Sequence, residues 1–226
     1  MNKVIRAEFG RTINAGLIIA IAGIIFSICF DSFNDLIAGL RNGQGYVGYF
    51  FSNAAFGGMC THYMLPVFTA LPFSVSLCQE RNNKAVSYIV SREGKNRYIF
   101  AKFIVSAISG GFVAACGTVL LFLMLAMRFP IAGDEFEGAV VSDYFHEWSA
   151  VYYPQLYILT LSILAFCRGV IWSSLALCVS LYTSDFMVVL LSPFLGSYVL
   201  VRIFQIIRVP DMVSRVLIII GKVVIK

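Results

Sequence analysis

Charge is what this sequence has least of. Only 13% of its 226 residues are Asp, Glu, Lys or Arg, where a water-soluble domain carries about 25%. Hydrophobic residues make up 59% and the mean hydropathy is +0.85. A single soluble core cannot hide that much apolar side chain, which excludes an ordinary soluble enzyme, a disordered tail and a collagen-like fibre. Motifs of chemistry are also missing. There is no Gly-Lys-Ser/Thr phosphate loop, no Gly-x-Ser-x-Gly and no His-Glu-x-x-His. The two histidines, His62 and His146, fall in different segments, and no apolar run carries the paired Asp or His/Glu of an intramembrane protease or metalloenzyme. No Cys-x-x-Cys occurs. Cys29, Cys60, Cys78, Cys116, Cys167 and Cys178 sit mostly in or beside apolar runs, as small buried residues do. No Lys/Arg run resembles a nucleic-acid patch, so the net charge of +5 reads as retained cytoplasmic loops. Internal repeats, low-complexity stretches and a soluble domain are absent.

What is present is a series of apolar runs. At about 20 residues per span the chain holds five or six. The runs are 14–30, 59–77, 98–127, 154–181 and 186–207. Ahead of the first lies the head MNKVIRAEFGRTI. Its Val4, Ile5 and Phe9 mix with Lys3, Arg6 and Arg11 at roughly helical spacing, as in an interfacial helix on the inner leaflet. The run that follows is long and no small-residue cleavage site closes it, so it reads as a retained span rather than a signal peptide. Asp31–Gly58 reads as a mixed loop, and Arg128–Tyr153 as an acidic one with Asp134, Glu135, Glu137, Asp143 and Glu147. Pro66 and Pro72 predict kinks in the second span.

Basic residues alternate along these connections. The head has three, the first loop only Arg41, the loop 78–97 has Arg81, Lys84, Arg92, Lys95 and Arg97, and the third loop only Arg128. The positive-inside rule places the head and the loop 78–97 in the cytoplasm and the acidic loop outside. The end of the chain breaks the alternation, with Arg202, Arg208, Arg215, Lys222 and Lys226 against one Asp211. Either Pro193 and Gly196 break the fifth run into a re-entrant hairpin, or the fifth run crosses and a short sixth span follows at 212–225. That stretch reaches about 21 Å as a helix against about 30 Å of hydrocarbon. Both arrangements remain open.

Arg168 lies midway along the fourth run, where a charge costs roughly 2.5 kcal/mol or more on insertion scales. Either it faces a translocation path, or the span is offset and the side chain snorkels. No acid lies deep in any span, so carbonyls, water or an anionic ligand are its expected partners. Ser106, Gly110 and Ala114 form a small-xxx-small stripe for helix packing, within the chain or between chains. Met59, Cys60, His62 and Met64 are soft ligands of the kind that suit Cu(I), though packing at a helix end is the simpler account. Aromatic residues, 15% of the chain, gather near span ends as an interfacial belt.

The stretch QERNNKAVSYIVSREGKNRYIFAKF, residues 79–103, is the most informative. Val86, Ile89 and Val90 share one face of a helical turn, Ser91 is suited to capping and Gly94 ends the turn. Arg92, Lys95, Arg97 and Lys102 lead back into the membrane. The pattern serves either as a solvated loop or as a docking surface for a soluble partner.

On these residues the chain resembles the permease subunits of ABC type-2 transporters. The matching positions are Glu80, Ser91, Arg92, Arg97, Tyr98 and Lys102, with Glu8 and Phe9 in the head as an acidic-aromatic pair. The likeness covers the head, the first three spans and the loop, about half of the chain. It implies an all-α integral membrane protein: one transmembrane domain over 1–226, a bundle of about six transmembrane helices, an N-terminal interfacial helix and a cytoplasmic coupling helix. It implies a multi-pass protein of the cell membrane with the N-terminus inside, not itself an enzyme and with no cofactor of its own. ATP and Mg would sit on a separate ABC ATPase subunit, and two permease chains would form a homo- or heterodimer that exports a peptide or drug. Glu80, Arg81, Lys84, Ser91 and Arg92 would form the ATPase-docking surface, with Glu80 against a basic group of the ATPase. A membrane scaffold or immunity protein working without ATP is the competing expectation, since its span pattern would be the same.

Overall fold

The computed structural model describes residues 8–10, 15–42, 47, 50, 59–72, 76–83, 86, 88, 90–91, 94–130 and 154–207. Every regular element among them is helical, and none is a strand. The elements are α1 (Ala15–Asp31), α2 (Phe33–Asn42), α3 (Met59–Ala70), α4 (Ser76–Asn82), α5 (Lys95–Ala126), α6 (Pro154–Ser180) and α7 (Phe186–Ile207). Two of them, α5 and α6, are long and apolar enough to cross a membrane. Helices suit such a medium because each satisfies its own backbone hydrogen bonds.

α5 is the axis of the fold. Its 32 residues span about 48 Å at 1.5 Å per residue. Small residues let its neighbours approach. A Cβ on Gly110 would meet the side chain of Ser173 and, at 2.9 Å, the carbonyl oxygen of Gly169, both on α6. Ser106 donates to the Ser173 carbonyl at 3.3 Å, and Ala114 is fully buried. Ser106 and Gly110 of the small-residue stripe therefore pack against α6 of the same chain, the choice that spacing alone left open. On another face, Gly117 is close-packed under Ile24 of α1. α1 in turn seats Gly23 under the ring of Phe68 from α3. α7 packs Gly196 on Trp172 and Leu175 of α6, and its Phe194 stacks on Tyr63 of α3 with ring centroids 5.6 Å apart.

Three segments differ from the sequence expectation. First, the region expected as a loop from Asp31 begins with a helix, α2. Ser32 is a one-residue corner: its N–H bonds to the Ile28 carbonyl and its carbonyl accepts from Leu36, so the backbone ladder scarcely lapses. Its hydroxyl also reaches the Phe50 carbonyl at 2.9 Å. Second, the run 59–77 is not one rod. α3 passes through Pro66 and ends at Ala70, Leu71 and Pro72 form a turn, and a separate α4 starts at Ser76. Third, α7 is continuous through Pro193 and Gly196, which removes the re-entrant hairpin. Pro193 has no N–H for the carbonyl four residues back. That carbonyl, on Val189, accepts from the Ser192 hydroxyl at 2.8 Å instead.

The contacts sort the connections onto two ends. At one end the Val47 N–H bonds to the Pro130 carbonyl, Phe50 stacks on Phe129, and Asp31 caps α3 by accepting from the Cys60 and Thr61 N–H groups at 2.9 and 2.5 Å. At the other end α4, the start of α5 and the short α6–α7 connection meet. The short sixth span, Lys84, Arg92, His146 and the acids from 134 to 147 lie outside the described residues.

Candidate functional site

The second end holds a cluster of buried, charged side chains. Lys102 lies two turns into α5, and its side chain is 2% exposed. Its ammonium stands 2.8 Å from Glu80 on α4 and 3.1 Å from Glu8, with the two carboxylates 12% and 6% exposed. The Tyr98 hydroxyl, one turn before Lys102, donates to the other oxygen of Glu80. Helical spacing explains the convergence, because residues 98 and 102 share one face of α5. Four side chains from three separated parts of the chain thus share one buried site. Removing an ammonium and carboxylates from water is costly, and only close mutual pairing with added hydrogen bonds offsets it.

A second tie lies beside the first. The Arg81 guanidinium donates through one nitrogen to the Ser180 and Leu181 carbonyls, at 3.1 and 3.0 Å. The last carbonyls of a helix have no partner within it, so a cation reaching them satisfies the end of α6 and meets its negative pole. Asn82 reaches the Ser184 carbonyl at 3.5 Å. Next to it burial pushes the Cys78 thiol up from its ordinary range, with the Arg81 charge pulling the other way. Its Sγ lies 3.7 Å from the Thr183 carbonyl.

Between α4 and α5 the chain crosses this end with helical residues at 86, 88, 90 and 91. Val86 and Val90 pack against Leu77, Tyr98 and Leu177, the inward face expected from their spacing. Tyr88 points away and is 78% exposed, and Ser91 is exposed with its hydroxyl on the Tyr88 carbonyl at 2.9 Å. Gly94 turns the chain with φ +83°, a left-handed value that favours glycine, and α5 begins at the next residue.

Of the expected docking residues, Ser91 is on the outward face. Glu80 and Arg81 are engaged within the chain: Glu80 holds Lys102 and Tyr98, and Arg81 clamps α6. Lys84 and Arg92 lie outside the described residues. Spacing does not single out Tyr88. Its one signal is position, two residues from both Val86 and Val90 and so across the helix from them.

Arg168 sits on α6 facing α3. Its Nε is sealed from solvent and has no acceptor among the described residues, and His62 Nε2 on α3 is likewise buried without a partner. The two lie close enough for the cation to act on the imidazole. Cys60 and Met64 do not extend this into a metal centre. Among the described residues no three His, Cys, Asp or Glu side chains are grouped to hold an ion, and the six cysteines are unpaired. Comparison of the chain with protein-family models, with curated proteins and with solved structures finds no match.

Proposed function

We propose that this chain is the membrane-spanning permease subunit of an ABC-type exporter, driven by a separate ATPase through the loop 78–97. The observation that carries this reading is the way the loop is built. Its inward face is seated on α4, α5 and α6 through Val86 and Val90. Its two flanks are tied to the spans by the Lys102 cluster and the Arg81 clamp. Its outward face presents Tyr88 and Ser91. A segment held this way moves with the helices rather than independently of them. A push on Tyr88 would reach α4, α5 and α6 together, which is what transmission between a soluble motor and a bundle requires. An aromatic side chain exposed beside basic residues also suits an interface anchor.

In this reading Glu80 does not meet the partner. It fixes the lever, and contact falls to Tyr88, Ser91, Lys84 and Arg92. About six spans cross the cell membrane, with the N-terminus and this end of the bundle cytoplasmic. The chain itself breaks no bond; ATP and Mg belong to the ATPase, and a second permease chain completes the unit. Arg168 and His62, buried polar groups in an apolar bundle, mark the translocation path. Affinity purification in mild detergent from the native host tests the assignment. An ATPase subunit recovered in near-equal amount supports it. Recovery of the chain alone, in conditions that preserve membrane complexes, would leave a scaffold or immunity protein as the better account.

A further inference from the structure

Behind the seated loop lies a cavity of about 640 Å³, bounded by residues of α4, the loop helix, α5 and α6. That volume is in the range of sites that enclose a small ligand. Its walls are mostly apolar, including Val86, Val90, Ile99, Phe103, Leu177 and Leu181, and the charged residues in its lining are Arg81, Lys95 and Lys102, with Tyr98 and Cys178 beside them. Lys102 already serves two carboxylates. Lys95 is exposed, and Arg81 spends one nitrogen on carbonyls. Glu8 and Glu80 neutralise Lys102, which leaves Lys95 and Arg81 as the lining cations that no carboxylate holds among the described residues. α5 opens with Lys95 and Arg97 and no acid in its first turn, although a helix start ordinarily favours anionic side chains.

From the apolar walls and the two cations, Lys95 and Arg81, that stand beside them without a carboxylate partner among the described residues, we infer that this cavity binds an anionic phospholipid. The acyl chain lies along Val86, Val90 and Leu177, and the phosphate lies against Lys95 and Arg81. Basic pockets between membrane helices take such headgroups, and a zwitterionic lipid would leave the excess positive charge unanswered. The site needs only that the chain lies in a membrane; its assignment to the inner leaflet rests on the orientation proposed above. A lipid there would brace the loop from behind, so lipid composition would set how firmly the lever is held.

The test uses the purified full chain in detergent with equal amounts of phosphatidylglycerol and phosphatidylcholine, counting retained lipids by native mass spectrometry. Phosphatidylglycerol should be preferred, and Lys95→Gln should cut the preference by about fivefold, as expected for one cation at about 1 kcal/mol. Val90→Trp should displace the lipid by filling the cavity. Lys95 is exposed, so its variant keeps the fold even if Val90→Trp does not. Equal retention of the two lipids, or an unchanged preference in Lys95→Gln, overturns the proposal. So does full competition by glycerol phosphate, which would show a phosphate site without a lipid. With the six native cysteines replaced, labelling of Tyr182→Cys by a membrane-impermeant reagent in intact and in permeabilised cells reads the orientation separately. A periplasmic or external label would move the site to the outer leaflet and leave lipid binding standing.

Discussion

Lys102 carries a disproportionate share of the order at its end of the bundle. One ammonium faces two carboxylates, and a tyrosine hydroxyl takes an oxygen that the lysine does not. Replacing it with an apolar side chain leaves Glu8 and Glu80 buried without their cation. Lys102→Met should therefore lower stability by about 3–5 kcal/mol, read as a large fall in the thermal midpoint of the detergent-solubilised protein. Adding Glu8→Gln and Glu80→Gln to that variant should recover much of the loss, because the uncompensated charge goes with them. No recovery would mean that Lys102 acts by packing. The members of this cluster were legible in sequence as separate letters, Glu8 in the head, Glu80 in the loop, and Tyr98 and Lys102 at the start of the third apolar run. Their meeting was not, since pairing over such separations leaves no periodicity. Arg168 shows the reverse: its place midway along an apolar run was plain, while its proximity to His62 required the packing of α3 on α6.

Among the elements, α7 shows how an apolar helix tolerates proline. The Ser192 hydroxyl takes the place of the missing backbone donor at Val189. Ser192→Ala should cost about 1 kcal/mol. In a Pro193→Ala background, where a backbone N–H returns to that carbonyl, the same change should cost markedly less. A thermal-unfolding double-mutant cycle reads the difference, and equal costs would show the hydroxyl bond to be incidental. This is why, of the two arrangements the sequence left open, the break at Pro193 and Gly196 is absent: the sequence rule counts the lost donor, and only the fold shows its replacement. The contact between α5 and α6 depends on absent side chains. Gly110→Ala presses on Ser173 and on the Gly169 backbone, and Gly110→Val does so with two more carbons. Overpacking at a fixed backbone typically costs about 1–3 kcal/mol, so the thermal midpoint should fall from Gly to Ala to Val. An unchanged midpoint in the valine variant would mean that the two helices are free to separate.

At the scale of the whole molecule the predictions concern sidedness and coupling. Arg81 and Asn82 bond to the α6–α7 connection, so the loop 78–97 and residues 181–185 share one end of the bundle. Tyr182 is 89% exposed there. A cysteine at 182 and one at 88 should label from the same side of the membrane, the cytoplasmic side. Labelling from opposite sides would break the proposed topology. Tyr88→Ala should leave the fold intact, since the side chain rests on little, and should reduce ATPase recovery and nucleotide-dependent transport by about tenfold or more, the loss of an aromatic anchor of ~1.4 kcal/mol or above. Normal coupling in that variant would place the docking surface elsewhere.

What the sequence determined by itself is the helical elements and their apolar character. Runs of about 20 apolar residues suit helices, in which the backbone satisfies its own hydrogen bonds, and two of those here are long and apolar enough to cross a membrane. Residues 98–127, 154–181 and 186–207 were accordingly placed to within three residues of α5, α6 and α7. Tertiary structure decided which small residues meet, that 59–77 divides around Leu71 and Pro72, and that Asp31 continues through a corner into α2. It also decided that Glu80 turns in to Lys102, that Arg81 ties to the end of α6 and that Tyr88 turns out. The physical reason is one of range. Hydropathy and helical period act over a few residues, whereas a buried charge or an orphaned carbonyl is satisfied by whatever group the folded chain brings near, as Lys102 meets Glu8 across more than ninety residues of sequence.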